Sequence, residues 1–197
     1  MSEQYDLEQD LKELEAMVNH LVPYLKSKEL YGNAGGGFFS RMPALTIGAV
    51  LMRLRRIEAQ RLSLSSSQQE RFDKIKQAHK NIYQEWKIHY DKKLLREAHS
   101  RLDAMQTFFE ECDNDPRLCA QVYSPEVLRR TIVQEIVLYM TEIDLTDETL
   151  TEKLRDIDSR LRRYVRPAEF FWANQLQPVY AQADFWWLYH RPARKER

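Results

Sequence analysis

Apolar residues recur at three- and four-residue steps along most of the chain, the spacing of one buried face on an α-helix. Leu7, Leu11, Leu14, Val18, Leu21 and Leu25 carry the pattern through an amphipathic helix predicted from about residue 5 to about residue 30, where Pro23 is placed to bend it. The segment GNAGGGFFSRMP follows and holds four of the five glycines. Pro43 then stands where a first helical turn tolerates proline, and a second helix is predicted to about Leu62.

Ser67 opens the run Ser-Gln-Gln-Glu, in which the serine accepts from the amide of Glu70 while that side chain reaches back. From there Phe72, Ile75, His79, Ile82, Trp86, Tyr90, Leu94, Ala98, Leu102, Met105, Phe109 and Cys112 form one stripe with no Gly or Pro between them. A helix over residues 67–112 would span roughly 65 to 70 Å. Its ends have coiled-coil spacing, but the four-residue steps from Ile82 to Leu102 act as a stutter, which suits a bundle backbone better than a free zipper.

Asp115-Pro116 ends that helix, and Ser124-Pro125 caps a next one with Leu128, Ile132, Ile136 and Tyr139 on its apolar face, stopping near Glu142. Thr146 or Asp147 caps a further helix through about Tyr164. Pro167 and Pro178 introduce two short, aromatic-rich helical pieces. No segment reads as a strand, and there is no internal repeat. The expected fold is therefore all-α: a helical bundle of about five to seven helices with one very long central helix at about residues 67–112. It is expected as a single helical domain over residues 1–197. Possible sub-units are a helical hairpin over 1–64, the long helix, a second hairpin over 124–166 and aromatic C-terminal helices over 167–191.

Composition narrows the function classes. A chain with 43% hydrophobic and 30% charged residues is globular rather than disordered. Thirty basic and thirty acidic residues cancel, so affinity for a polyanion would need a local patch. The first fifteen residues hold six acids and no apolar run, and the longest uncharged apolar stretch, Met42 to Met52, is too short for a bilayer. The expectation is a cytoplasmic protein without a membrane segment. Cys112 and Cys119 frame CDNDPRLC; they could pair, but two cysteines in a chain this size do not make a disulfide scaffold.

Tests for chemistry come back empty. A di-iron carboxylate site needs Glu-x-x-His, but Met17, Lys76, Trp86, Arg96 and Trp187 stand three residues before the five histidines. His79, His89 and His99 are each rotated about 80° from the last around a helix, so they cannot converge on a metal, and His79 reads as a satisfied seam residue. Asp113, Asn114 and Asp115 resemble a calcium loop without its glycine, which reads as a turn. Gly32, Gly35, Gly36 and Gly37 precede a helix start, but with no strand before them and no Gly-Lys-Ser/Thr they read as a flexible connection. No cofactor, no metal and no catalytic residue is expected.

Two features stand above this background. Arg53, Arg55, Arg56 and Arg61 crowd one helix end; an antiparallel hairpin of the first two helices would lay them beside Asp10, Glu13 and Glu15. Arg129, Arg130, Arg160, Arg162, Arg163 and Arg166 are brought together by the second hairpin, with Glu110, Glu111, Asp113 and Asp115 as internal counter-charges and a phosphate or acidic partner as the external one. The second feature is aromatic. Phe171, Trp172, Phe185, Trp186, Trp187 and Tyr189, with neighbours, cannot fit one helical stripe, so they are covered either by the chain's own core or by a partner.

The leading expectation is a non-catalytic helical adaptor or structural subunit of a larger assembly, docking on a protein partner or a second copy through those six aromatic residues. One alternative is a nucleic-acid-associated accessory protein using the second arginine cluster. Another is a helical enzyme or small-ligand binder with the glycine loop as a lid.

Overall fold

The computed structural model describes residues 5–35, 42–114 and 116–192, of which 116–120 by backbone alone. Among these the fold is all-α apart from one two-stranded ribbon. The chain divides into two compact units, Tyr5–Glu97 and Ala98–Arg197. No helix of the described residues is long and apolar enough to cross a membrane.

The first unit contains α1 (Leu7–Asn19), α2 (Leu21–Lys26), α3 (Ile47–Ala59) and the first part of α4 (Ser66–Asn114). The Asp6 carboxylate caps α1 by accepting from the Gln9 amide at 3.1 Å. The expected bend falls at His20, whose backbone leaves helical values (φ −101°, ψ 4°), and not at Pro23. Pro23 lies in the first turn of α2, where a missing N–H removes no helical bond.

The next helix begins at Ile47 instead of following Pro43 directly. The Thr46 hydroxyl accepts from the Ala49 amide at 3.1 Å, while Leu45 is held extended by two backbone hydrogen bonds exchanged with Gly32, at 2.9 and 2.8 Å. Gly32 is required there because a Cβ would come within 2.6 Å of the Tyr24 ring. Gly35 takes φ +74° against the His20 ring. Those two glycines are anchored; Gly36 and Gly37 lie outside the described residues, so the flexible-loop reading of them does too.

The expected reciprocal cap of α4 exists, but two residues earlier. The Gln68 amide donates to Ser65 Oγ at 3.3 Å and the Ser65 amide to Gln68 Oε1 at 2.8 Å, in place of Ser67 and Glu70. The helix also has an interruption, at Trp86 (φ −113°, ψ 24°). It falls where the apolar stripe turns to successive four-residue steps, each of which drifts the face about 40° around a helix.

Two residues of α4, one turn apart, close the ends of α2 and α3. The buried Lys93 ammonium donates to the Tyr24 carbonyl and, at 3.1 Å, to Ser27 Oγ, at the C-terminal end of α2. Fully buried Glu97 accepts from the Gly48 amide at 2.9 Å, at the N-terminal end of α3. A cation at one end and an anion at the other match the two helix dipoles. His79 is buried in the seam with its Nε2 2.8 Å from the Tyr90 hydroxyl. Burial holds its pKa down at about 4, so the ring is neutral near pH 7.

The second unit takes the rest of α4 with α5 (Pro116–Glu142), α6 (Glu148–Tyr164), β1 (Val165–Pro167) and β2 (His190–Pro192). Two 3₁₀ turns, Asn174–Val179 and Trp186–Tyr189, lie between the strands. Helix α5 starts at Pro116 and runs through Ser124-Pro125, which was expected to begin it. Pro125 gives up one internal bond, and the packing of Tyr123, Val127, Ile132 and Ile136 carries the helix across it. Leu128, expected on the apolar face, is 39% exposed.

Between α5 and α6 the chain reverses in a compact turn. Asp144 adopts φ +53°, and the Leu145 amide donates to the Met140 carbonyl at 2.9 Å, the long bond of a Schellman cap. Asp147 then caps α6, accepting from Leu150 N at 2.8 Å and Thr149 Oγ1 at 2.7 Å, bonds that with His99 hold its carboxyl down at about 2.

The expectation of no strand is corrected at β1 and β2, which pair antiparallel with Val165 opposite Pro192, Arg166 opposite Arg191 and Pro167 opposite His190. The two short helical pieces expected after Pro167 are 3₁₀ helices; Trp186, Trp187 and Tyr189 sit in the second, while Phe170, Phe171, Trp172 and Phe185 lie in loops.

Candidate functional site

The aromatic stretch is the core of the second unit. Trp187 is fully buried; its indole N–H donates to Thr131 Oγ1 at 3.0 Å, and its carbonyl accepts from the Tyr123 hydroxyl at 3.1 Å. Phe185 and Trp186 are buried beside it. Phe171, Trp172 and Tyr189 are half-buried, in ring contact with Tyr123, Tyr180 and Phe170 respectively. Of the two covers expected for this set, the chain's own core is the one present. Phe185, Trp186 and Trp187 thus fill the chain's own core, where rings this large gain most by burial, while Phe171, Trp172 and Tyr189 keep part of their surface exposed.

The arginines of the second unit fall into two groups. Arg130, 2% exposed, makes a two-pronged ion pair with Asp158 (2.7 and 2.9 Å), and its guanidinium lies 3.8 Å from the centre of the Trp187 ring. Arg129 pairs with Glu126, while Arg160 meets Asp113 at 3.8 Å and lies over Phe109. Internal neutralisation thus applies to Arg129, Arg130 and Arg160, with Asp158 and Glu126 in place of most of the expected acids. Asp115 lies outside the described residues, and the Cys119 side chain with it.

Arg162, Arg163 and Arg166 have no carboxylate within ion-pair distance among the described residues, and Arg191 joins them. Arg162 lies 3.9 Å over Trp186 and Arg191 4.0 Å over Phe171; Arg166 donates to the Val165 carbonyl at 2.8 Å. Sequence reading missed Arg191. The signal available was the repeated Arg-Pro, at 166–167 and 191–192, which the ribbon sets face to face.

Buried Glu126 is the unit's anomaly. Its Oε1 accepts from Arg129, its Oε2 is buried without a hydrogen-bond partner among the described residues, and its carboxyl is pushed up to about 7. Burial is the main cause, opposed by Arg129 and reinforced by repulsion from Glu111.

A second surface feature surrounds the α5–α6 turn. An open groove of about 580 Å³ has Val137, Met140, Leu145, Leu150 and Leu154 on its apolar floor. Thr141, Thr146, Thr151, Glu148, Glu152 and Arg155 stand at its edges. Val137, Leu145 and Leu154 remain half-buried, as do neighbouring Leu138, Tyr139 and Ile143. The Schellman turn shapes it by folding Leu145 back toward Met140.

Among the described residues no three metal-ligating side chains converge. No protein-family model matches the chain, and neither a curated protein nor a solved structure matches it, so the functional reading stands on this geometry.

Proposed function

We propose that the protein is a non-catalytic helical subunit that holds an amphipathic helix of a protein partner in the groove of the α5–α6 hairpin. The observation that carries this reading is half-buried Val137, Leu145 and Leu154, which with buried Met140 and Leu150 form the apolar floor of one open groove. A contiguous apolar surface in contact with water and rimmed by polar groups is the usual form of an interaction face. Small-molecule pockets enclose most of their ligand. An open groove with leucine floor positions suits a helix anchored every third or fourth residue. Exposed Glu148 and Glu152, four residues apart on α6, favour a partner with lysine or arginine beside its apolar anchors. The burial of Phe185, Trp186 and Trp187 moves the docking face away from the C-terminal aromatics.

The test is a nuclease-treated affinity capture at native expression, run with wild type, Val137→Glu/Leu154→Arg and Arg166→Glu. A stoichiometric protein held by wild type and Arg166→Glu but lost from the groove variant supports the reading. An identical set retained by all three overturns it.

A further inference from the structure

The corner where α6 meets the ribbon carries a charge arrangement that no acid among the described residues offsets. Arg166 and Arg191 stand directly opposite each other across β1 and β2. Like charges in that position destabilise a strand pair, and the ordinary remedy is a neighbouring acid. Here no carboxylate within the described residues is in ion-pair contact with either one, although in the same unit Arg129, Arg130 and Arg160 each have an acidic partner. Arg162 and Arg163, in the last turn of α6, have no such partner either. The dipole of α6 accounts for a cation at those two positions. It does not account for a second pair of arginines opposed just beyond the helix end.

Three of the four guanidinium groups are also held. Arg162 is stacked on Trp186, Arg191 is stacked on Phe171, and Arg166 is tethered to the Val165 carbonyl. A guanidinium fixed by its face on an aromatic ring keeps its N–H edge available, and of its five donors Arg191 gives one to the Phe170 carbonyl at 3.5 Å, leaving the rest for an anion. Little side-chain freedom is left to lose when an anion arrives.

We infer that Arg162, Arg163, Arg166 and Arg191 form a binding site for the phosphate backbone of a nucleic acid. Arg162, Arg163 and Arg166 are exposed and Arg191 is half-buried, so the patch is an open surface; one phosphate on such a surface is held weakly, and a ligand that repeats its phosphates engages several arginines at once. A lipid surface is the less fitting source of phosphate. Attachment to one calls for apolar side chains projecting beside the cations, and the rings here, Trp186 and Phe171, lie beneath the arginines. The contacts are to backbone, so binding is insensitive to base sequence. The site is independent of the groove and of the reading built on it.

The experiment is fluorescence anisotropy of the full chain with a labelled mixed-sequence single-stranded oligonucleotide, titrated with salt. Four phosphate contacts give a log–log salt slope of about −3. Arg166→Glu separates a binding role from a structural one: it places an acid opposite Arg191, so the melting temperature holds or rises while affinity falls about tenfold. Arg61→Glu, in the first unit, is the control and leaves affinity unchanged. Parallel sedimentation with phosphatidylserine vesicles shows no binding of wild type. Undetectable oligonucleotide binding at low salt, unchanged affinity in Arg166→Glu, or vesicle binding stronger than oligonucleotide binding would each overturn the inference.

Discussion

The protein contains two arginine clusters, one at the end of α3 and one at the end of α6, and they meet opposite fates. In the first, Arg53 is 6% exposed; its Nε bonds Glu13 at 3.0 Å and approaches Asp10 at 3.5 Å, and Arg56 reaches Asp10 at 3.7 Å. The Tyr5 hydroxyl completes Asp10 at 2.8 Å. In the second, Arg162, Arg163, Arg166 and Arg191 pair with no acid among the described residues; Arg162 and Arg191 lie over aromatic rings and Arg166 donates to a backbone carbonyl. A buried cation must be matched inside the fold because water is absent, whereas a cation at the surface can be left to solvent or to a ligand. The difference separates charge that serves the fold from charge that is free for recognition.

The sharpest way to break that comparison is Arg53→Ala. It leaves Glu13 and Asp10 with little solvent and one partner fewer, and the expected loss is about 3 to 5 kcal/mol in a urea or guanidinium unfolding curve. A loss below about 1 kcal/mol would mean that the first cluster is no more structural than the second.

Next in size is the response to pH, where the two units oppose each other. His79 has its pKa lowered to about 4, so the unfolded chain binds the extra proton first, and stability contributed in the first unit is lost as pH falls from about 6.5 to about 4. Glu126 has its pKa raised to about 7. The folded state holds that proton, so stability in the second unit is present below about 4.5 and is lost as pH rises through about 7. Each effect has a ceiling of about 3 kcal/mol. Glu126→Gln is expected to remove the loss on the alkaline side and leave the acid-side loss in place. Unfolding curves measured across this range check both, and an unchanged profile in the variant would show that Glu126 is ionised without penalty.

The smallest effect is at the second cluster. Arg163→Ala is expected to change stability by no more than about 0.5 kcal/mol, because an exposed arginine with no ion pair has little to lose. A substantially larger loss would place that cluster with the first.

Much of the fold was legible in the residues. The stripe from Phe72 to Cys112 is the long helix, with all but Ile82 and Trp86 buried. The pairing of Arg53 and Arg56 with Asp10 and Glu13 followed from hairpin geometry, whereas Arg61 pairs with Asp73 and Glu15 with Arg71, both across to α4; Asp147 caps α6 as its position suggested. The starts of α3 and α5 were misplaced because proline marks where a helix can begin, while capping by Thr46 and packing around Tyr123 decide where it does. The groove could not be read at all. Val137, Leu145 and Leu154 belong to three different elements, and only their meeting around the Asp144 turn makes a concavity.

What the sequence determined by itself is periodic and local: the all-α class, the long helix, the Asp147 cap and the presence of two arginine clusters, all set by spacing along one chain segment. The tertiary structure alone decided which charges are matched and which rings are covered. Asp158 reaches Arg130 across 28 residues, and Thr131 reaches Trp187 across 56, while Arg166 faces Arg191 with no acid among the described residues paired to either. Ion pairing and burial depend on distance in space, which varies freely at fixed composition, and so the site belongs to the fold and not to any one stretch of the chain.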